Sequence, residues 1–413
     1  MHVLEQLKQR QLVYGVTDSE LEDVLSKQAV TFYVGIDPTA DSMHIGHLIP
    51  LLVAHHLVAA GHKAIVVIGG GTGLIGDPSG KSEERNLLTL EASMANATAL
   101  SNQVRRILPN AHIVNNLDWI KTYDLITFLR DIGKHFGINA MLAKDSVKNR
   151  LETGISFTEF TYQIIQSLDF LELYRREGCT LQIGGQEQWG NITAGLDLIR
   201  KAEGHEAKAY GLVIPLITKE DGTKFGKTAS GAVWLDDNRT TPYEFYQYWI
   251  NLDDTTALAR LGQFSLKPLA TLESIRKAMA DAPHERHAQK ALAEELTLLI
   301  HGEDARTQVQ NISRAFFAGD VRALDVHEIE MGFKGMPAYE TAQPITLVEA
   351  LMQLGLSSSR REARTHIDQN AVSVNGEKQT DTDAMIIREA ALHGRYTIVR
   401  RGKKHYGVIR HKA

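Results

Sequence analysis

The apolar positions of this 413-residue chain change period several times along its length. Thr31-Phe32-Tyr33-Val34-Gly35-Ile36 is rich in β-branched and aromatic residues, and Pro38 stops the ladder, so a strand is predicted there. Thr39 to Ser42 are turn formers. Leu48, Leu51, Leu52, Leu57 and Val58 then recur at helical spacing, which puts His44 and His47 in the first turn of a helix. Pro50 falls early in that helix and predicts either a tolerated position or a local irregularity. Lys63-Ala64-Ile65-Val66-Val67-Ile68 is a continuous apolar run bounded by glycines, as in a buried parallel strand. Strand, helix and strand make a βαβ unit. Further on, 90–150 reads mostly as helix, with a strand ending near Asn115. Phe157 to Phe170 is a helix, Leu181 to Gly184 a strand running into a loop, and Val213 to Ile217 another strand. Residues 240–320 switch to long helical patterns. Gly332, Gly335 and Pro337 mark a linker. The last piece offers a helix over Leu347–Met352 and a second opened by a Ser359/Glu362 capping box. A strand over Val372–Val374 and a hairpin around Gly402 follow.

Composition is that of an ordinary globular chain, long enough for two or three domains. The single cysteine, Cys179, rules out a disulfide framework within the chain and fits a reducing cytoplasm. No signal-peptide core and no membrane-spanning apolar run is present, so no membrane partner is expected. Net charge is −5, but residues 345–413 carry 12 Lys+Arg and 7 Asp+Glu, a net of +5. The preceding 344 residues carry the remaining 33 basic and 43 acidic side chains, a net of −10. A basic tail piece on an acidic body suits a polyanion such as nucleic acid, or is merely a solvated terminal domain.

Candidate chemistry gathers at the loops. A helix N-terminus presents free N–H groups and partial positive charge to a phosphate. His44 and His47 can add imidazole donors there, and Gly46 lets a flat ring lie on the backbone. A bare His-x-x-His is also a common helix start, or half a metal site, although no third ligand is spaced for zinc. Gly71-Thr72-Gly73-Leu74-Ile75-Gly76 satisfies the dinucleotide fingerprint in letters, but Asp77-Pro78-Ser79-Gly80 breaks the helix that the fingerprint must open. Gly80-Lys81-Ser82 mimics a Walker A end, yet position 75 is Ile where glycine is needed. Lys81 and Arg85 can share one face for a polyphosphate or belong to a solvated charged loop. Tyr162, Gln166 and Asp169 fall on one face of a helix amid apolar neighbours, where a core helix would show Leu or Ile. Lys224 and Lys227 are three apart in a stretch that Gly222 and Gly226 allow to move, a weak signal alone.

In order, these stretches resemble the class I aminoacyl-tRNA synthetases. His44-Ile45-Gly46-His47 is similar to their first signature and Lys224-Phe225-Gly226-Lys227-Thr228 to the second. The run Tyr33 to Ser42 resembles the bacterial tyrosyl branch. The resemblance implies an α/β protein: a Rossmann-like parallel-sheet catalytic domain over 1–235, with an inserted dimer-interface segment at about 115–195. A helical domain near the anticodon over 236–330, a linker over 331–344 and a small S4-like α+β RNA-binding domain over 345–413 would follow. It implies tyrosine bound by Tyr33 and Asp169 at the phenol and by Asp77, Tyr162 and Gln166 at the ammonium, with Gln182 and Gln188 lining the pocket. ATP would meet Gly35, Asp37, Gly46, His47, Gly185 and Glu187. Thr39, His44, His47, Lys81, Arg85, Lys224, Lys227 and Thr228 would gather on its phosphates. Glu187 stands where the family has Asp, and Gln186 where it has Ser, which alters the ribose contact. The implied partners are tyrosine, ATP with accompanying Mg²⁺ and no protein-held metal, tRNA(Tyr), and a second copy of the chain. A tryptophanyl enzyme would share both signatures but lack the tail and the Tyr33/Asp169 pair. An RNA-binding protein without catalysis would not need His44, His47, Lys224 and Lys227.

Overall fold

The computed structural model describes residues 2–79, 87–148, 150, 154–218, 225–228 and 231–412; Lys81, Arg85 and Lys224 lie outside the described residues. Of Lys227 and Thr228 only the backbone is described. The chain packs as two units, residues 1–240 with 247–300, and 241–246 with 301–413. The helical block expected as one piece over 236–330 is therefore shared between them. One reason is local: the helical run His287–Ala318 is broken at Gly302, whose φ of 86° no helix can hold.

In the first unit, α1 (Val3–Gln9), β1 (Gly15–Val16) and α2 (Glu20–Lys27) lead into β2 (Thr31–Ile36), α3 (Ile45–Ala59) and β3 (Lys63–Ile68). Next come α4 (Leu90–Ile107), β4 (His112–Asn115), a series of short helical turns, α5 (Phe157–Glu177), β5 (Cys179–Gly185), α6 (Trp189–Glu203) and β6 (Tyr210–Ile214). The six strands form one sheet in the order β1-β6-β5-β2-β3-β4, parallel throughout except at β1. From β2 the chain winds outward through β3 to β4, then crosses back through α5 to lay β5 on the other side of β2. The strand order thus reverses between β2 and β5, where open parallel sheets place their ligands, beyond the carboxyl ends of the strands. The predicted strands at 31–36 and 63–68 form as expected, and the latter buries every residue but Lys63. β6 ends at Ile214, before Pro215, which has no N–H to continue the ladder. Tyr33, Ile65, Val67, Leu168, Phe170, Leu171 and Cys179 pack one face of this sheet against α5 and α6.

Pro50 is the sixth residue of α3, inside the helix rather than at its start. The helix continues through it, and the Gly46 carbonyl loses the N–H it would otherwise receive.

The second unit holds β7 (Ala338–Thr341), β8 (Val372–Val374), β9 (Glu377–Lys378), β10 (Tyr396–Arg401) and β11 (His405–His411). They form a five-stranded sheet in the order β9-β8-β10-β11-β7. The segment read as a linker thus contributes β7, which runs parallel to β11. The hairpin predicted around Gly402 forms, with Arg401 opposite His405. Two helices, Leu347–Gln353 and Arg360–Asp368, cover the sheet through Leu347, Leu351, Ala363 and Ile367. Ser359 caps the second as expected, but Glu362 reaches back to the Ser358 N–H and hydroxyl rather than to Ser359, so the reciprocal box is not closed.

Candidate active site

A cavity of about 700 Å³ opens at the carboxyl ends of β2 and β5. Its wall includes Tyr33, Gly35, Asp37, Thr39, His44, Gly46, His47, Asp77, Tyr162, Gln166, Asp169, Gln182, Gly185, Glu187 and Gln188, which is every candidate residue whose side chain is described.

The deepest part is a polar pair in an apolar shell. Asp169, on α5, is 3% exposed. One carboxylate oxygen accepts from Asn116 Nδ2 at 2.9 Å and the other from Trp119 Nε1 at 2.8 Å. Burial pushes its pKa up to about 7, against the pull of those two donors. Tyr33, on β2, is buried, its ring edge-on to Phe170 at 5.3 Å. Its hydroxyl has no hydrogen-bond partner among the described residues, and burial followed by the Asp169 charge drives its pKa well above 10. A neutral O–H donor and a carboxylate acceptor therefore line the same cavity. A group that both accepts and donates, such as a phenol, satisfies them together. Asn116 and Trp119 escaped the sequence reading as site residues. The available signal was their place just beyond the carboxyl end of β4.

A second polar group lines the same cavity. Asp77 accepts from Gln188 Nε2 at 2.7 Å and from the Ser79 N–H at 2.9 Å. The Tyr162 hydroxyl donates to Asp37 at 2.8 Å, and the Thr72 hydroxyl donates to the other Asp37 oxygen at 2.7 Å. Gln166 Oε1 is buried with no donor among the described residues. Two carboxylates, a hydroxyl oxygen and an orphaned amide oxygen form a cradle for a cation with several protons to donate. The glycine run explains how these groups come so close. A Cβ on Gly69 would lie 2.0 Å from Asp37 Oδ1 and 2.3 Å from Thr72 Oγ1, and one on Gly71 would meet Ile120 at 2.7 Å. The glycines that mimic a dinucleotide fingerprint admit neighbouring side chains, and Thr72–Leu74 is a 3₁₀ turn rather than a helix start.

The third region is the N-terminus of α3. His44 is its N-cap, and its Nδ1 accepts from the Gly46 N–H at 3.1 Å. His47 Nδ1 accepts from the His44 N–H at 3.1 Å. An imidazole nitrogen that accepts a backbone N–H carries no proton, so each neutral ring has its hydrogen on Nε2. Burial, then the neighbouring His44, lowers the His47 pKa to about 3, so this ring is a neutral N–H donor. Gly46 is exposed, and Glu187 stands exposed on the turn after β5. Pro215, Leu216 and Ile217 close the wall; Leu216 is 48% exposed and was not anticipated. Trp234, also unanticipated, lines the cavity beside His44. Phe225 and Gly226 of the second signature reach the cavity as well.

The profile of the tRNA synthetases class I (W and Y) matches residues 25–318, and that of the tyrosine–tRNA ligase SYY-like C-terminal domain matches 328–409. The chain is 51% identical to the tyrosine–tRNA ligase of Geobacillus stearothermophilus, over 100% of both chains. This chain belongs to the tyrosine–tRNA ligase family of class I synthetases. Tyrosine–tRNA ligase 2 of Bacillus anthracis is 49% identical over 99% of this chain and 100% of its own. Among solved structures, a C-terminally truncated Aspergillus nidulans mitochondrial tyrosyl-tRNA synthetase superposes with a TM-score of 0.70 at 30% identity. It covers 76% of this chain and 94% of its own. A tryptophanyl-tRNA synthetase from Encephalitozoon cuniculi shares the fold at 16% identity and a TM-score of 0.54, covering 74% of this chain and 87% of its own.

Proposed function

We propose that the protein joins tyrosine to tRNA(Tyr) in two steps at this cavity. A tyrosine carboxylate oxygen attacks the α-phosphorus of ATP, and the bond to pyrophosphate breaks. Tyrosyl-adenylate remains bound. A hydroxyl of the terminal tRNA ribose then attacks the adenylate carbonyl, loses its proton, and AMP leaves. The carboxylate is already a nucleophile, so the first step needs no general base. It needs orientation and stabilisation of charge on the phosphates.

The reading is carried by one observation: the orphaned Tyr33 hydroxyl and the buried Asp169 carboxylate lining one cavity. The tyrosine phenol accepts from Tyr33 and donates to Asp169. Phenylalanine would leave both buried groups unpaired. Asp77, Tyr162 and Gln166 take the ammonium, with Asp37 orienting Tyr162. Gln182 and Gln188 complete the pocket. The Nε2–H groups of His44 and His47, with Thr39, face the phosphates. By the family resemblance Lys81, Arg85, Lys224, Lys227 and Thr228 add charge and donors there. Gly35, Gly46 and Gly185 lie under the nucleoside, and Glu187 accepts from the ribose. Mg²⁺ travels with the ATP phosphates, and among the described residues no cluster of three His, Cys, Asp or Glu would hold an ion of its own. The arginines Arg360, Arg361 and Arg364 suit an RNA backbone.

The active species is a homodimer in the cytoplasm. Leu125, Ile126, Leu129, Ile138 and Phe157 are 52–78% exposed within the inserted segment, large apolar side chains that favour a partner surface over water. No described helix is long and apolar enough to cross a membrane.

The deciding experiment is ATP–pyrophosphate exchange with tyrosine, phenylalanine and tryptophan. Exchange with tyrosine alone is expected, falling about 10- to 100-fold in Asp169→Ala, the range for a buried polar pair left unmade. His44→Ala should lower the exchange rate with little change in tyrosine KM. Exchange with tryptophan would assign the chain to the other branch, and no exchange at all would remove the ligase reading.

A further inference from the structure

The two signatures are tied into one ribbon by a segment that neither includes. Gly231–Ala232 pairs antiparallel with Lys227–Thr228 of the second signature. The chain then runs straight on to the first. The Ile45 N–H donates to the Val233 carbonyl at 3.0 Å, and the Leu235 N–H to the Met43 carbonyl at 2.8 Å, so Trp234 stands opposite His44 in an antiparallel bridge. The Val233 N–H in turn donates to the Gly226 carbonyl at 2.9 Å.

The side chains close a circuit around this bridge. The Trp234 ring meets the His44 ring at 6.0 Å and 61°, edge to face. On its other neighbour, the Arg239 guanidinium sits 4.4 Å from the indole centroid. Arg239 is ion-paired with Asp41, three residues before His44 on the loop that delivers it. The Trp234 N–H donates to the Thr240 hydroxyl at 3.0 Å, and the Asp236 N–H to the Ser42 hydroxyl at 3.1 Å, which fixes the turn between Trp234 and Arg239.

Such contacts matter at His44. Its Nδ1 bond to the Gly46 N–H sets the tautomer. The plane of the ring decides where the Nε2 hydrogen points, and that plane depends on what packs against it. His47 packs against the ring at 4.0 Å, and Trp234 meets it at 6.0 Å.

We propose that Trp234, held by the Arg239–Asp41 pair, is a positioning residue: it sets the plane of the His44 imidazole and couples it to the position of the second signature. Trp234 acts on the phosphates through His44, so this rests on the reading of His44 as a phosphate donor. Aromatic and cation–π contacts of this kind are directional enough to fix a ring without binding substrate themselves.

The test is a double-mutant cycle on ATP–pyrophosphate exchange in the full-length protein. Trp234→Leu should lower the exchange kcat about tenfold with tyrosine KM unmoved, as expected for a contact realised in the transition state. Trp234→Phe keeps a ring against His44 and should recover most of the rate. Arg239→Gln should show a smaller loss of the same kind, about threefold. In a His44→Ala background, Trp234→Leu should cost less than about twofold more, because its route of action is gone. Multiplicative losses in the double variant would overturn the proposal, as would a parallel rise in tyrosine KM or wild-type kinetics in Trp234→Leu. If Trp234→Leu does not fold, the cycle of Arg239→Gln with His44→Ala carries the same decision. If His44→Ala alone has no effect, it is the phosphate-donor reading that fails.

Discussion

Asp169 is held by opposing forces that set its working range. Burial disfavours its charge, while Asn116 and Trp119 donate to it, leaving a pKa of about 7 against an ordinary 3.8. A carboxyl raised in the folded state favours folding while protonated. That contribution is complete below the unfolded value and is lost as pH rises through about 7. Substrate recognition runs the other way, since the tyrosine phenol donates to the ionised form. Tyrosine should therefore bind more weakly as pH falls through about 7, approaching tenfold per unit below it. Tyrosine titrations between pH 5.5 and 8.5 check this. In Trp119→Phe one of the two donors to the carboxylate is gone, so the midpoint should move to higher pH. A profile flat across that range would show that the phenol is not received by a carboxyl raised to about 7.

Elements act here mainly through their ends. The N-terminus of α3 delivers two neutral imidazoles whose tautomers are written by backbone N–H groups, and Pro50 deeper in the helix leaves the Gly46 carbonyl without its usual donor. The middle of the second signature is anchored differently. Phe225 packs among Tyr248, Trp249 and Phe264 at ring separations of 5.5–5.8 Å, with the Arg260 guanidinium 4.9 Å from its centroid. The Gly226 N–H donates to the Tyr248 hydroxyl at 3.1 Å. Gly226 has a φ of +86°, and a Cβ there would stand 3.1 Å from Ile45, so glycine is required for this turn to reach α3. Tyr248→Phe keeps the ring packing and removes the hydrogen bond to the Gly226 N–H. The expected result is a loss of about three- to tenfold in exchange kcat, the worth of one such bond, with the melting temperature little changed. A melting temperature that falls while kcat holds would make Tyr248 a packing residue only.

Across the whole molecule, charge separates from chemistry. The acidic first 344 residues include the cavity, and the basic last 69 include a helix whose first turns expose arginines, Arg360 with 73% of its side chain in solvent. If that helix meets the tRNA backbone, replacing Arg360, Arg361 and Arg364 by Gln should raise the KM for tRNA in aminoacylation. It should also flatten the salt dependence of that KM, by up to about one unit of slope for each phosphate deprived of its arginine. Exchange without tRNA serves as the folding control. A salt dependence equal to that of the parent would place the RNA elsewhere.

Much of this was legible in order along the chain. The strand at 31–36, the buried strand at 63–68, the hairpin at Gly402 and the residue types of both signatures are local facts, because β-propensity, helical period and turn chemistry act over a few neighbours. Tyr162, Gln166 and Asp169 stood out because an α-helix brings i, i+4 and i+7 to one face whatever surrounds it. The partners of those residues were not legible. Asp169 meets Asn116 and Trp119 across 53 and 50 residues, Tyr162 meets Asp37 across 125, and Trp234 is brought to His44 by an isolated bridge and a ring contact. The glycines at 69–73 look the same in sequence whether they cradle a phosphate or admit Asp37 and Thr72. Sequence thus determined which chemical groups the loops carry. The crossover that sets β5 beside β2 decided which of them are buried, which are paired and which are left to a ligand, because burial and hydrogen bonding depend on neighbours that only the packed sheet supplies.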